Sequence, residues 1–280
     1  MELLRTVAEL QQRVRQQRAK GKSIGLVPTM GALHTGHASL IRAAVQACDY
    51  VVVTLFVNPT QFGPTEDFSR YPRTFAADCE LAANEGADVL FTPSVEEMYP
   101  PGEATFVDVP DLSSRLDGKS RPGHFRGVAT IVTKLLAAAQ PDRAYFGQKD
   151  AAQVAVLRRL ARDLCFATEL VVCPIIRDAD GLALSSRNAY LSADERKQAM
   201  ALSRAVRRVE ALVSHGERSA EVLLATARAS LAAEPALRID YVELVDWNTL
   251  LPVSAATPGT LFAVAAWVGE TRLIDNTVVS

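Results

Sequence analysis

Short, almost wholly apolar runs alternate along the first part of the chain with longer stretches that repeat apolar residues at helical spacing. The runs, bounded by Pro, Gly or Asn, cover residues 23–29, 50–57, 87–92, 144–147 and 169–176. The stretches with helical spacing cover residues 37–48, 74–85, 127–139 and 151–163. Because strands buried on both faces are apolar throughout, this alternation predicts a doubly wound, Rossmann-like α/β domain with a parallel sheet over residues 1–176.

Two long polar segments, rich in Pro and Gly, interrupt this alternation at residues 58–74 and 100–127. Structureless segments of that length inside a compact domain are usually functional or disordered. We therefore expect a lid over the functional site in one of them.

The last hundred or so residues have a different character. Ser192 and Glu195 have the spacing of a capping box, which predicts a helix from there to about His215 and a second helix over residues 218–233. RIDYVELVD (238–246), TLFAVAAWVG (260–269) and TRLIDNTVV (271–279) then read as strands. This pattern predicts a smaller α+β domain over residues 177–280.

Composition and charge narrow the class of protein. The 280 residues are 49% hydrophobic and 22% charged, as in an ordinary globular protein. The formal net charge is -2 and the isoelectric point is about 6.1, so no overall positive field exists to hold a nucleic acid. We therefore expect small-molecule ligands and no nucleic-acid partner.

The chain is expected to work in the cytoplasm, away from membranes. No apolar run approaches the roughly 18 residues of a membrane span. The first 22 residues repeat apolar positions at helical spacing and lack the apolar core of a secretory signal. The four cysteines show no CxxC or Cys/His ligand spacing, which predicts reduced, packed thiols.

The segment PTMGALHTGH (28–37) places two of the four histidines at the turn between a predicted strand and a predicted helix. A helix N-terminus offers unpaired N–H groups and the positive end of a dipole to an anion. Gly31 and Gly36 would let the backbone approach such a ligand. His34 and His37 could then donate hydrogen bonds to phosphate oxygens that gain charge.

Simpler interpretations of this pair stay open on the local sequence alone. Either histidine could be an ordinary packed or surface residue, or the spacing could be chance. A metal site is disfavoured because no cysteine, third histidine or suitably spaced carboxylate stands beside the pair.

Further segments narrow these alternatives, because six of them, in this order, resemble the pantothenate synthetases (pantoate–β-alanine ligases). They are PTMGALHTGH (28–37), FVNPTQFG (56–63), YPRT (71–74), RPGHFRGV (121–128), YFGQKDAAQ (145–153) and LALSSRNAYLS (182–192). The resemblance implies a fold of the HxGH nucleotidyltransferase superfamily. It also implies ligation of pantoate to β-alanine through a pantoyl adenylate, with ATP as a substrate and Mg²⁺ needed to offset the triphosphate charge, as in other phosphoryl transfers. Thr35 and Gln148 depart from the commonest family residues, but neither supplies an essential group.

The same resemblance assigns the nucleotide site. It implies that His34, His37, Lys149 and the segment Ser185, Ser186 and Arg187 act in adenylation, with His37 as proton donor and Lys149 neutralising pyrophosphate. The remaining positions expected to contact ATP are Met30, Gly31, Gly147, Asp150, Ile176 and Leu184.

For pantoate and β-alanine, the resemblance implies a second set of side chains. Gln61 and Gln153 are amides that can donate and accept hydrogen bonds, as a hydroxy acid requires. Met30, Asn58, Arg121 and His124 are expected around them, and Asp78 near the site. The resemblance also implies a homodimer and a C-terminal domain that acts as a lid, but it leaves the Mg²⁺ ligands unassigned.

Three other functions compete with this assignment. A nucleotidylyltransferase shares HxGH, but FVNPTQFG and FGQKD argue against it. A relative of the class I aminoacyl-tRNA synthetases would need a basic surface, which the charge balance denies. A non-catalytic nucleotide-binding protein would have no use for His34, His37, Lys149 and Arg187 together.

Overall fold

The structure is a computed structural model that describes residues 1–64 and 66–279. Within this range a parallel sheet of six strands has the spatial order β1-β4-β3-β2-β5-β6. The strands are β1 (Glu2–Leu4), β2 (Ile24–Thr29), β3 (Tyr50–Leu55), β4 (Val89–Phe91), β5 (Arg143–Gly147) and β6 (Glu169–Cys173). The arrangement confirms the predicted doubly wound α/β fold.

Helices cover both faces of this sheet. They are α1 (Val7–Arg18), α2 (Thr35–Ala47), α3 (Phe75–Asn84), α4 (Val95–Met98), α5 (Pro110–Ser113), α6 (Asp117–Ser120), α7 (His124–Ala139) and α8 (Ala151–Asp163). Leu26 of β2 lies in the core that contains α1, α7 and α8, whereas the adjacent Val27 lies in the core that contains α2. The strands are apolar throughout because successive side chains enter different cores.

The C-terminal part forms a second, antiparallel sheet with the order β7-β8-β9. Its elements are α9 (Ala193–Ser214), α10 (Ala220–Ala232), β7 (Leu237–Asp246), β8 (Thr260–Val268) and β9 (Thr271–Val278). Phe262 and Val264 of β8 join the core of α9 and α10, whereas Leu261 and Ala263 join the core of α7 and α8. The small sheet is therefore covered on both faces.

Several predicted boundaries are wrong by a few residues. The N-terminus is not helical from its start, because residues 2–4 form an edge strand that pairs with β4 and buries Leu4. Helix α7 begins at His124 rather than at residue 127, after Gly123 with a φ of 83°. Strand β6 ends at Cys173, because the next residue is a proline that cannot donate to the ladder.

The C-terminal helix signals are confirmed. Ser192 and Glu195 form the predicted capping box of α9, and His215 follows its last turn with Nδ1 2.7 Å from the carbonyl oxygen of Ala211. The four cysteines are free, but Cys165 is exposed, so the expectation of packed thiols is wrong there. Among the described residues no helix is both long enough and apolar enough to cross a bilayer.

Polar contacts join the C-terminal sheet to the rest of the chain. Arg272 of β9 pairs with Asp117 at 2.7 Å and with Asp240 at 2.7 Å. Ser120 donates to Asp240 at 2.9 Å, and the Trp247 indole N–H donates to the carbonyl oxygen of Ala151 at 2.9 Å. These contacts hold the small sheet against α6 and α8.

Gly127 of α7 allows the segment that follows β3 to touch the helix backbone. A Cβ at this position would lie 2.4 Å from the carbonyl oxygen of Thr60 and 2.7 Å from the Cα of Gln61. The side-chain amide of Asn58 also donates to the Gly127 carbonyl at 3.1 Å. The absence of a side chain therefore sets the position of residues 58–61.

We expect Gly127→Ala to lower the free energy of unfolding in urea by about 1 to 3 kcal/mol, the usual cost of overpacking. The sign is informative, because Ala in a helix interior normally stabilises by up to about 1 kcal/mol over Gly. Gly147→Ala is the matched control, since its added Cβ meets no atom within 4 Å at a φ of -81°. A Gly127→Ala protein as stable as the parent would refute this steric account.

Candidate active site

The site lies where the order of the large sheet reverses. From β2 the chain builds outward through β3 and β4, and from β5 it builds in the other direction through β6. The carboxyl ends of β2 and β5 are therefore neighbours at a topological switch point, where doubly wound proteins bind their ligands. The turn before α2 and the turn before α8 both open there.

A cavity of about 230 Å³ occupies this position. It brings together nearly all of the predicted site residues, from five separate parts of the sequence: Met30, His34, His37, Asn58, Gln61, Arg121, His124, Gly147, Lys149, Asp150, Gln153, Ile176, Leu184, Ser185, Ser186 and Arg187. Gly31 and Asp78 lie beside the cavity without lining it. The four side chains on which the sequence argument depends, His34, His37, Lys149 and Arg187, thus share one space.

The two histidines cap the N-terminus of α2 and each other. His34 is the N-cap, and its Nδ1 accepts the backbone N–H of Gly36 at 3.1 Å. The Nδ1 of His37 accepts the backbone N–H of His34 at 3.3 Å. The ring centroids are 4.1 Å apart. This is a capping box in which imidazoles replace the usual hydroxyl and carboxylate.

Gly36 serves this cap rather than a ligand. A Cβ on Gly36 would lie 2.8 Å from the Cε1 atom of His34, so the imidazole fills the space that the glycine leaves. Sequence reasoning expected that space to admit a ligand. The structure instead makes Gly36 a requirement for the ring position of His34.

These hydrogen bonds fix the tautomer of both imidazoles. A ring nitrogen that accepts a backbone N–H carries no proton, so in each neutral ring the proton is on Nε2. Burial, with the Lys149 charge as the next cause, lowers the pKa of His34 to about 4. Burial, followed by His34 and Lys149, lowers the pKa of His37 to about 3. At neutral pH both rings are therefore uncharged Nε2–H donors.

Asp78 supports the turn between β2 and α2. Its carboxylate, 3% exposed, accepts the backbone N–H of Ala32 at 3.0 Å and of Leu33 at 2.8 Å. Gly31 and Ala32 have φ values of 87° and 50°, a left-handed turn that only these bonds make favourable for Ala32. Asp78 therefore positions the residues that precede His34.

Gln61 is held from two sides with its amide nitrogen facing the cavity. Asn58 donates to Gln61 Oε1 at 3.1 Å, and Gln61 Nε2 lies 2.9 Å from the sulfur of Met30. A thioether is a weak acceptor, so this nitrogen keeps most of its capacity to donate to a ligand.

Both ring nitrogens of His124 make hydrogen bonds to other residues of the protein. Its Nδ1 donates to the backbone carbonyl of Gln61 at 2.8 Å, and its Nε2 accepts from Arg121 at 2.9 Å. Burial, with the Arg121 charge second, lowers its pKa to about 4. Its two nitrogens are thus occupied, and the ring supports the backbone of Gln61.

Both arginines of the site already hold carboxylates from the 58–74 segment. Arg121 makes a bidentate pair with Glu66 at 2.7 and 2.6 Å, and Arg187 makes one with Asp67 at 2.9 and 2.8 Å. Burial alone would lower the pKa of Arg187, but the hydrogen bonds and charge of Asp67 outweigh it and raise that pKa. Sequence reasoning missed both acids, although Glu66-Asp67 was a visible acidic pair in a segment expected to cover the site.

Lys149 has the longest ion-pair distance of the three cations that line the cavity in the described part of the chain, the other two being Arg121 and Arg187. Its Nζ lies 3.7 Å from Asp150, a long contact to a half-exposed carboxylate. Opposite it, Ser186 donates to the carbonyl oxygen of Ala32 at 3.2 Å, and the Ser185 hydroxyl accepts the N–H of Arg187 at 3.3 Å. The segment 185–187 is thereby tied to the turn that carries the histidines.

Part of the cavity wall is apolar. Sequence reasoning did not name the side chains of this wall, which include Pro28, Leu40, Phe56, Val128, Ile131, Val132, Leu135 and Phe146. They come from β2, β5, α2, α7 and the residue after β3, where an apolar residue that lines a cavity has the same pattern as one that fills the core. No signal in a single sequence separates the two.

The described residues contain no cluster of three or more His, Cys, Asp or Glu side chains placed to hold a metal ion. Asp150 is the one carboxylate among the described residues that line the cavity. The protein therefore offers a cation at most one carboxylate at this position.

Comparison with known proteins gives a consistent result. The model of the pantoate-beta-alanine ligase family matches residues 2–278. A pantothenate synthetase of Acidobacterium capsulatum is 59% identical over 285 residues, which cover 98% of this chain and 95% of that protein. One of Moorella thermoacetica is 54% identical and covers 100% of this chain and 99% of its own.

Solved structures agree with the sequence matches. The crystal structure of pantothenate synthetase from Thermus thermophilus superposes with a TM-score of 0.94 at 46% identity, covering 99% of each chain. A pantoate-beta-alanine ligase from Francisella tularensis, complexed with beta-gamma ATP and beta-alanine, superposes with a TM-score of 0.79 at 32% identity, covering 99% of this chain and 97% of its own. The chain belongs to the pantoate–β-alanine ligase family.

Proposed function

We propose that the protein condenses pantoate with β-alanine at the expense of ATP, through a pantoyl adenylate, and releases AMP and pyrophosphate. Membership of the family supports the reaction, and the Francisella tularensis relative is complexed with beta-gamma ATP and beta-alanine. The observation that carries the proposal is the shared cavity: its lining includes two neutral Nε2–H donors at the start of α2 together with Lys149 and Arg187.

The nucleotide occupies the switch-point half of this cavity in our proposal. The triphosphate lies against His34, His37 and Lys149, where α2 adds the positive end of its dipole. Met30, Gly31, Gly147, Ile176 and Leu184 surround the rest of the nucleotide, and the Asp150 carboxylate accepts a ribose hydroxyl. Ser185, Ser186 and Arg187 hold the phosphates once Arg187 has exchanged Asp67 for them.

In the first step a carboxylate oxygen of pantoate attacks the α-phosphorus, and the bond from that phosphorus to the bridging oxygen of pyrophosphate breaks. Charge accumulates on the phosphate oxygens and on the leaving pyrophosphate. The imidazoles stabilise it as preorganised donors, since in the ligand-free site burial lowers the pKa of His34 to about 4 and that of His37 to about 3, which leaves both rings neutral. Lys149 neutralises the pyrophosphate.

Pantoate and then β-alanine occupy the other half. The amide nitrogen of Gln61 and the amide of Gln153 bind the hydroxyls and carboxylate of pantoate, beside Met30 and Asn58. The apolar wall of Phe56 and α7 accommodates its two methyl groups. Arg121 and His124 keep Gln61 in place. In the second step the free amine attacks the acyl carbon and AMP departs.

The donor set fits a magnesium ion that arrives with the triphosphate. Mg²⁺ prefers oxygen ligands and usually keeps several waters beside one or two carboxylates and substrate phosphates. Because Asp150 is assigned to the ribose, substrate phosphates and waters would supply the ligands of this ion. When bound, the ion would offset phosphate charge; the chain's own residues orient the nucleotide around it.

Three broader features belong to the same proposal. Residues 1–176 bind ATP and pantoate, and residues 177–280 form a domain that closes over them, supported by the presence of residues 184–187 in the cavity wall. As the phosphates enter, Arg187 exchanges Asp67 for them, while Arg121 keeps its pair with Glu66. The enzyme works as a cytoplasmic homodimer, as the family resemblance implies.

We expect the purified protein to form one AMP and one pyrophosphate per pantothenate when supplied with ATP, Mg²⁺, pantoate and β-alanine. The products can be resolved by anion-exchange chromatography. Without β-alanine, pantoate alone should still support exchange of labelled pyrophosphate into ATP, because the first step is reversible. Formation of ADP, or pyrophosphate release that does not need pantoate, would exclude the reaction.

We expect His37→Ala to slow pantoate-dependent pyrophosphate exchange by about a hundredfold or more, the usual effect of losing a preorganised donor. His37→Gln, which keeps an N–H donor, should lose less. In the parent, both histidines stay neutral when the pH is lowered from 8 to 5.5. Protonation of these two rings should therefore cause no fall in the exchange rate centred near pH 6.5.

Far-ultraviolet circular dichroism controls for folding, since His37 also caps α2. The donor role of His37 fails if His37→Ala exchanges pyrophosphate within about tenfold of the parent. The neutral-donor role fails if the parent shows an acid limb near pH 6.5 that His37→Gln lacks.

A further inference from the structure

Strand β9 carries two buried polar residues behind the turn that contains Lys149. Asp275 is 2% exposed and Asn276 is 3% exposed. They follow Leu273 and Ile274 on a strand in the C-terminal part of the chain, where no distinctive motif was found. Buried polar groups of this kind are retained with all their hydrogen bonds satisfied, and their partners indicate what they hold in place.

Both polar atoms of the Asn276 side-chain amide make hydrogen bonds with Gln148 or Lys149. Its Nδ2 donates to the backbone carbonyl of Gln148 at 3.0 Å and to that of Lys149 at 2.9 Å. Its Oδ1 accepts from the Gln148 side chain at 3.2 Å. Three hydrogen bonds from one residue thus fix the short 3₁₀ turn from which the Lys149 side chain projects.

Asp275, on the same strand, stabilises the hairpin that leads to residues 185–187. Arg177 donates to its two carboxylate oxygens at 2.6 and 2.9 Å. Arg177 also donates to the Gly181 carbonyl at 3.2 Å and bridges to Ala183, at the base of the hairpin that leads to residues 185–187. Adjacent residues of one strand therefore hold both the Lys149 turn and the base of the segment that faces it.

A smaller cavity lies between β9 and the main one. Both cavities are lined by Arg121, Lys149, Asp150, Ser185 and Arg187, whereas Asp275 and the rest of its β9 wall line only the smaller. The β9 backbone is thus immediately behind the cations of the site without reaching the nucleotide space. Asn276 can influence the reaction only through the residues it holds.

We propose that Asn276 is a positioning residue for the ligase reaction: its contacts with the Gln148 and Lys149 carbonyls aim the Lys149 ammonium at the phosphates. This rests on the proposed function for its substrate, ATP. The other contacts across the same boundary, such as the one between Ser120 and Asp240, hold the small sheet at points away from this turn. If Asn276 had a purely structural role, its replacement would affect the reaction no more than the loss of one of these other contacts.

The test is a double-mutant cycle of Asn276→Ala with Lys149→Met, measured as pantoate-dependent pyrophosphate exchange and as calorimetric affinity for MgATP. We expect Asn276→Ala to lower kcat/KM for ATP by about a hundredfold, as for a displaced catalytic group. KM for pantoate should stay within about twofold of the parent. In the Lys149→Met background, Asn276→Ala should cost less than about twofold more.

Two further variants complete the design. Asn276→Ser keeps a single donor and should fall between Asn276→Ala and the parent; it replaces Asn276→Ala in the cycle if that variant does not fold. Ser120→Ala removes one hydrogen bond across the same boundary and should leave every kinetic constant unchanged.

Additive losses in the cycle, or parent-like kcat/KM for ATP in folded Asn276→Ala, would overturn the positioning role. A parent protein without pantoate-dependent exchange would instead refute the proposed function. Calorimetry still decides the inference in that case: MgATP affinity must fall in Asn276→Ala and not fall further in the double variant, and any other result rejects it.

Discussion

The site depends on a reciprocal cap at the N-terminus of α2, in which two backbone N–H groups are accepted by two imidazole Nδ1 atoms. Because each Nδ1 accepts a backbone N–H, each neutral ring carries its proton on Nε2. Gly36 leaves room for the His34 ring, and Asp78 holds the strained turn that precedes it. Burial keeps both rings uncharged, so their donor character does not vary near neutral pH.

The rest of the site is assembled around this cap from segments that are distant in sequence. The turn after β5 supplies Lys149, and the segment after β6 supplies Arg187. The arginines are the cations most strongly attracted to phosphate, yet Glu66 and Asp67 hold them in bidentate pairs. In the proposed reaction the phosphates replace Asp67 as the partner of Arg187, whereas the capping hydrogen bonds of the two histidines are already formed in the structure.

The sequence predicted those features that have a local physical cause. Buried parallel strands are apolar throughout, so β2, β3 and β5 were recognisable, and glycine next to histidine marked the turn before α2. Strand β1 was missed because three residues paired only at a sheet edge carry no period of their own. The pairing of Arg187 with Asp67 spans 120 residues, and the contact of Asn276 with Lys149 spans 127. Such partners depend on the closed fold, and no local pattern specifies them.

The most direct test of this account is nitrogen-15 nuclear magnetic resonance of histidine-labelled protein at pH 7, with His34 and His37 assigned from single His→Gln variants. The imidazole nitrogen shifts report which ring atom carries the proton. The account predicts that both rings are neutral, with protonated Nε2 and unprotonated Nδ1, and that they stay so to pH 5.5. An imidazolium, or a proton on Nδ1 of either ring, would contradict it.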